Sequence, residues 1–301
     1  MITAQNLTKK YKKKLAVSDL SFTVNTGRVT GFLGPNGAGK STTMRLMLGL
    51  DRGTGQTLFD DKPLNAHHSP AKLAGILLEA KAFHPTRTAR NHLSVLAEAG
   101  RIPLSRVDEV LDIVGLKDVA RKGPGKFSLG MSQRLGIAAA LLGEPRYLIL
   151  DEPANGLDPE GIAWLRQFIK DYANKGNAVF ISSHLLSEMS QMADDIIVIG
   201  KGKLIAQGSV DSIIAGSAHA GVFVRSDDTT KLHQTLGKAQ ANYVDFENGV
   251  KVTGMSTEEI GKILFSAGLP VFELSMQNAS LEEAFLELTA ASEEFSTKGA
   301  K

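Results

Sequence analysis

Three stretches of the chain carry residues whose types and spacing suit phosphate chemistry. The first is "GPNGAGKST", Gly34 to Thr42. Gly34, Gly37 and Gly39 let the backbone curl so that its amides face one anion, with Pro35, Asn36 and Ala38 completing the loop. Lys40 supplies a cation for the outer phosphates, Ser41 a hydroxyl for magnesium, and Thr42 opens the following helical pattern. The second is "YLILDEP", in which Asp151 and Glu152 leave the end of an apolar run. Asp151 can reach magnesium through its water shell and Glu152 can polarise an attacking water. The third is "ISSH", which puts His184 at another such end, where its imidazole could meet a γ-phosphate. A glycine loop and strand ends converging on one phosphate describe a nucleoside triphosphatase without saying which kind.

These residues act together only if the elements carrying them converge. "RVTGFL" leads into the glycine loop and "TTMRLMLGL" leaves it with a helical pattern. "YLILDE" and "NAVFISSH" are apolar runs ending in polar residues and separated by helical patterns, the mark of buried parallel strands in an α/β fold, whose ligands gather at the carboxyl ends. Upstream, "DLSFTV" puts Leu20, Phe22 and Val24 on one strand face. With the turn "NTGR" and the strand "RVTGFL" it predicts an antiparallel edge that opens the domain. From Leu73 to Lys126 the pattern reads as a helical insertion, in which "SRVDEVLDIVGL" places Val107, Val110, Leu111 and Val114 on one stripe. The hairpin "DIIVIGKGKLIAQG" closes this first domain, expected over residues 1–214, and "AGSAHAG", Ala215 to Gly221, reads as a linker. Residues 221–291 read as a small α+β domain in split βαβ, or ferredoxin-like, order with one added helix. Its last two helices open with capping boxes, Ser256 with Glu259 and Ser280 with Glu283. Residues 292–301 are read as a tail.

Composition limits the alternatives. The 301 residues are 43% apolar and 22% charged with a formal net charge of +2, which suits a globular protein and gives no global field for nucleic acid, so no nucleic-acid partner is expected. There is no cysteine, which removes disulfide and thiol chemistry. No uncharged apolar run approaches the roughly 18 residues of a spanning helix, so a membrane would enter through a partner. His67, His68, His84 and His92 lack ligand spacing and read as loop or packing residues, and Met44 and Met47 read as core.

Two further stretches have double readings. In "FSLGMSQR", Phe127 to Arg134, Ser128 could cap the helix that follows and Gly130 relax the turn into it. In "NGLDPEG", Asp158 with Pro159 makes a start for the helix bearing Ile162, Leu165, Phe168, Ile169 and Tyr172.

In order and spacing, "GPNGAGKST", "FSLGMSQR", "YLILDEP", "NGLD" and "SSH" resemble the nucleotide-binding subunit of ATP-binding-cassette transporters, over roughly Met1 to Gly208. The resemblance implies a RecA-like core with a P-loop, an antiparallel β subdomain and a helical subdomain, with ATP and Mg2+ as cofactors. It implies that Ser128 and Gly130 bind the γ-phosphate of ATP held by a second subunit, and that Asp158 also touches that subunit. In "KKYKKK", Lys9 to Lys14, Tyr11 would stack on adenine, with Val17 lining the same surface; a nucleic-acid patch and a plain surface tyrosine are the alternatives. Glu79 stands where the family has a loop glutamine and could approach magnesium beside Ser41 and Asp151, or be a solvated carboxylate. Leu129 and Met131 replace the usual glycine and glutamine, which resembles the bacterial exporter branch of antibiotic self-resistance and multidrug pumps with separate membrane subunits. The closing "SLEEAFLELT" resembles exporter subunits too.

The expected function is therefore an ATP-hydrolysing subunit, peripheral on the cytoplasmic face of the membrane. It would power an integral membrane permease by ATP-dependent dimerisation with a second copy or a homologous ATPase subunit. The alternatives are an importer subunit, whose regulatory domain the C-terminal region could be, and a cassette ATPase with a non-transport role. The latter usually carries two cassettes or a long coiled coil, and this chain shows one motif set and no sustained heptads.

Overall fold

The computed structural model describes residues 1–12, 14–84, 86–217, 220–277 and 279–290. Lys13, two of the expected linker residues (Ala218 and His219) and the expected tail lie outside them. The chain divides into two compact units, Met1–Ser209 and Val210–Ala290.

Unit 1 runs β1 (Ile2–Tyr11), β2 (Lys14–Val24), β3 (Val29–Leu33), α1 (Lys40–Met47), β4 (Thr54–Phe59), α2 (Pro70–Leu73), β5 (Ala74–Leu77), α3 (Ala89–Ala99), α4 (Ser105–Ile113), α5 (Leu129–Leu141), β6 (Tyr147–Leu150), α6 (Pro159–Asn174), β7 (Ala178–Ser182), α7 (Leu186–Met192), β8 (Asp195–Gly200) and β9 (Lys203–Ser209). Six strands form the central sheet in the order β5-β6-β7-β3-β8-β9, parallel except for β9. Strands β6 and β7 are buried at every residue, which is why they read as unbroken apolar runs. The order places β3, which feeds the glycine loop, between β7 and β8, one strand from β6.

A second sheet, β2-β1-β4, is antiparallel. The opening "DLSFTV" and "RVTGFL" are therefore not partners in an antiparallel edge, since β2 pairs with β1 while β3 lies within the parallel sheet. The short turn between them changes sheets instead of folding a hairpin. The two sheets meet through Phe22, Phe32 and Phe180, whose ring centroids lie 5.1–5.7 Å apart, all buried. Burying each ring contributes about 2–3 kcal/mol and fixes β2 against the strands that carry the site. The helical region also starts later than Leu73, because Ala74–Leu77 is β5, paired in parallel with β6. Helices α3 and α4 and the start of α5 form that region. Met44 and Met47 are core residues, and Val107, Val110, Leu111 and Val114 are all buried.

Unit 2 runs α8 (Val210–Ala215), β10 (Gly221–Arg225), α9 (Thr229–Lys238), β11 (Asn242–Phe246), β12 (Gly249–Thr253), α10 (Thr257–Ser266), β13 (Glu273–Gln277) and α11 (Leu281–Ala290). Its sheet, β11-β12-β10-β13, is antiparallel and has the ferredoxin-like order. Val222, Val224, Val250 and Val252 pack against Leu232, Leu236, Ile260 and Leu264 of α9 and α10. Ser256 and Glu259 close a reciprocal capping box on α10, and Ser280 and Glu283 make the same bonds at α11. The boundary falls at Ser209, five residues before the expected 214, because α8 packs on α11 and belongs to unit 2.

Candidate active site

The loop from Gly34 to Gly39 joins β3 to α1. Gly39 has φ +107°, and a Cβ there would lie 2.6 Å from the Ala16 carbonyl oxygen, so both conformation and space exclude a side chain. The first amides of α1 have no intrahelical acceptor and are left for an anion. Lys40 turns back so that its Nζ donates to the Gly34 carbonyl at 2.6 Å. Burial lowers the Lys40 pKa, while the charges of Glu152 and Asp151 oppose the fall. A triphosphate beside the ammonium would offset that desolvation. Residues 36–42, Lys14, Ala16, Asp151 and Glu152 line one cavity of about 280 Å³.

The two carboxylates stand at the end of β6. The Asp151 amide donates to the Leu77 carbonyl at 2.7 Å, tying it to β5. One serine from the neighbouring strand serves both acids: the Ser182 hydroxyl donates to Asp151 Oδ1 at 2.5 Å and accepts from the Glu152 amide at 2.9 Å. Glu152 has φ +49°, a left-handed conformation that costs a non-glycine residue of order 1–3 kcal/mol and persists where its surroundings fix it. Its Oε2 lies 2.7 Å from His184 Nδ1 and accepts from the His184 amide at 3.3 Å. The carboxylate that would polarise a water is thus joined to the imidazole that would meet the γ-phosphate. Ser41 and Asp151 add a hydroxyl and a carboxylate, hard oxygen donors of the kind Mg2+ takes when phosphates and waters complete its shell.

Helix α5 starts at Ser128, whose Oγ accepts from the Met131 amide at 3.1 Å. Asp158 caps α6 in the same way, accepting from the Gly161 amide at 2.8 Å. Neither Ser128 nor Gly130 is among the residues lining the cavity of Lys40 and Glu152. Tyr11 is 48% exposed, leaving its ring accessible, and its hydroxyl donates to Asp51 at 2.8 Å; that bond is the main cause of its raised pKa, which nearby Thr42 opposes.

Residues 17–155 match the ABC transporter family, and residues 220–282 match a domain of unknown function, DUF8746. Over 298 residues the chain is 38% identical to the bacitracin transport ATP-binding protein BcrA of Bacillus licheniformis, which covers 96% of this chain and 97% of that protein. The chain belongs to the ATP-binding proteins of ABC transporters. It is also 36% identical over 212 residues to the lantibiotic transport ATP-binding protein SrtF of Streptococcus pyogenes, covering 70% of this chain and 92% of SrtF. That aligned length is close to the length of unit 1. A solved ATP-binding subunit of an ABC transporter superposes with a TM-score of 0.62 at 26% identity, covering 71% of this chain and 91% of that one. The chain is accordingly an ATP-binding, ATP-hydrolysing subunit of an ABC transporter.

Two expected positions in this ABC subunit need correction or relocation. Val17 is fully buried in the core cluster, so it cannot line an adenine surface. The register of β2 against β1 shifts between Leu20 and Val17, where Asp19 has φ +51°, so Val17 stays on the core face with Leu20, Phe22 and Val24, and Lys14 and Ala16 line the phosphate cavity instead. Glu79 lies in a different cavity, of about 300 Å³, together with Arg45 and His92. Arg45 is raised above its ordinary pKa chiefly by its hydrogen bond to Asp51, with a smaller Coulombic contribution from Glu79. Among the described residues no group of three or more histidine, cysteine or acidic side chains is placed to hold a metal. Ser182 was the residue missed: it stood inside "ISSH", but its acceptor and donor lie about 30 residues away.

Proposed function

We propose that this ABC subunit powers export of a peptide antibiotic through a membrane-spanning partner that is a separate chain, and that it works as a dimer sandwiching two ATP molecules. Cargo rests on the similarity across almost the whole chain to BcrA, a bacitracin transport protein, and export on Leu129, Met131 and the closing "SLEEAFLELT". A separate membrane subunit, and a peripheral place on the cytoplasmic face, fit the lack of any helix among the described residues long and apolar enough to cross a membrane.

The observation that supports dimerisation is the split of the residues expected to contact phosphate. Lys40, Ser41, Asp151 and Glu152 share one cavity, whereas Ser128 and Gly130 lie apart from it at the start of α5. A second copy approaching in antiparallel fashion would bring its Ser128 and Gly130 to this chain's γ-phosphate, with Asp158 beside the contact. Tyr11 would stack on adenine. Ser41 and Asp151 would hold Mg2+, which when bound neutralises charge between the outer phosphates. Glu152 accepts a proton from the attacking water, and His184 keeps that carboxylate aimed. Glu79, across from Arg45, is left as a site for sensing the partner.

Isolation of the chain from a membrane extract of its source under mild detergent tests the transporter reading. The expected result is co-purification of one integral membrane protein in a fixed ratio. Recovery with ribosomes or DNA and no membrane protein would contradict it.

A further inference from the structure

Helix α5 begins at Ser128, and one turn further on it reaches the other half of the chemistry. Gln133 is 4% exposed, and its Nε2 donates to the backbone carbonyl of Glu152 at 3.0 Å. Its Oε1 is buried with no hydrogen-bond partner among the described residues. Stability alone gives little reason for an amide here. A methionine of similar length would fill the space without a buried unpaired oxygen.

What the amide holds is the left-handed backbone of Glu152. The Glu152 amide is fixed by Ser182 and its carbonyl accepts from the Asn155 amide at 3.2 Å as well as from Gln133. Ser182 ends the neighbouring strand and Asn155 lies in the same loop, so Gln133 is the contact that comes from the helix bearing Ser128. The start of that helix also packs on the loop after Glu152. A Cβ on Gly130 would lie 2.8 Å from the Gly156 carbonyl oxygen, and one on Gly156, at φ +76°, would lie 2.4 Å from Leu129 Cδ2. Neither glycine leaves room for the two segments to sit independently.

We propose that Gln133 is a positioning residue for hydrolysis: through the Glu152 carbonyl it passes the seating of α5 on a second copy's nucleotide to the Glu152 carboxylate in its own site. The inference rests on the roles given above to Glu152 and Ser128. It makes each subunit's hydrolytic alignment depend on the neighbouring site's occupancy.

The test uses the full-length protein with Gln133→Met. Turnover should fall by about tenfold to a hundredfold, the loss that a small misalignment of a reacting group produces, while KM for ATP stays within about twofold and the melting temperature is unchanged or higher. In a Glu152→Gln background the same substitution should leave the residual rate unaltered, because the carboxylate it aligns is gone. Gln133→Glu is the second variant, and decides the matter if Gln133→Met fails to fold. Its carboxylate cannot donate to the Glu152 carbonyl, so its rate relative to wild type should be low at alkaline pH and recover as acid protonates it. Wild-type turnover by Gln133→Met, an equal loss in both backgrounds, or a pH-independent ratio for Gln133→Glu would overturn the proposal. Near wild-type turnover by Glu152→Gln alone would instead remove the role of Glu152 on which it stands.

Discussion

The cavity at the end of β6 holds a cation and two carboxylates, whereas the start of α5 holds a serine bonded to its own helix. Lys40 is bonded to its own loop at the Gly34 carbonyl, Asp151 is linked through Ser182 to the Glu152 backbone, and Glu152 is bonded to the His184 imidazole. One region is assembled within a single chain; the other has the fold of a helix cap and the sequence of a phosphate contact. For the proposed shared site the difference means that complete local bonding of a side chain does not exclude it from meeting a second copy's nucleotide. Ser128 is satisfied as a cap in the free chain, yet a hydroxyl at a helix N-terminus is also well placed for an anion delivered from outside.

The largest effect expected on the self-contained side is that of Glu152→Gln. It should lower turnover by about 10²–10⁴-fold, as loss of a general base does, and leave an ATP-bound dimer that accumulates on gel filtration. Turnover near wild type would break the assignment of this side. Lys40→Ala acts earlier, on binding. Removing a charged hydrogen-bond donor worth about 1.5–3 kcal/mol should weaken ATP affinity by roughly 10–150-fold in calorimetry, and unchanged affinity would count against the loop as the phosphate cradle.

A smaller signal sharpens the electrostatics of the same side. Burial lowers the Lys40 pKa below 10.5 in the free protein, and the charge of a bound triphosphate should raise it again. ATP binding should therefore take up protons, increasingly so as the pH climbs through the alkaline range, since the empty site sheds its proton before the filled one. Near neutral pH both forms hold the proton and Lys40 contributes nothing. Proton release, measured by calorimetry in buffers of different ionisation enthalpy, would reverse the sign of the account. The smallest effect on catalysis belongs to unit 2. Ser256→Ala removes one half of a capping box and should lower stability by about 0.5–2 kcal/mol without changing ATPase activity per folded molecule.

How much was legible follows from how local each signal is. The glycine loop, the acid pair and His184 each declare themselves within a few residues, and buried strands announce their own ends. The caps at Ser128, Asp158 and Ser256 were readable for the same reason, since donor and acceptor lie three residues apart. Strand β5 was hidden inside a helical reading because four residues carry too little periodicity to compete with their neighbours. Partnership of β2 with β1 in place of β3 is a long-range choice that a turn alone does not settle. Val17 was misplaced because its alternation with Ala16 decides which of the two faces the cavity, and a shift of one residue exchanges the faces. Ser182 and Gln133 act on atoms of Asp151 and Glu152 that are distant in sequence, and in Gln133's case on a backbone carbonyl that no motif encodes.

The shared site is tested most directly by the ATPase activity of a mixture of full-length Lys40→Ala and Ser128→Ala chains, with heterodimer formation confirmed by cross-linking. Each variant alone damages both sites of its homodimer, while the heterodimer has one site with both lesions and one with neither. The account predicts that Ser128→Ala alone loses about the 1 kcal/mol of a helix cap, remains folded and is nearly inactive, and that mixing restores part of the wild-type rate. Ser128→Ala chains that hydrolyse ATP at the wild-type rate and lose only about 1 kcal/mol of stability, as a helix cap would, contradict it.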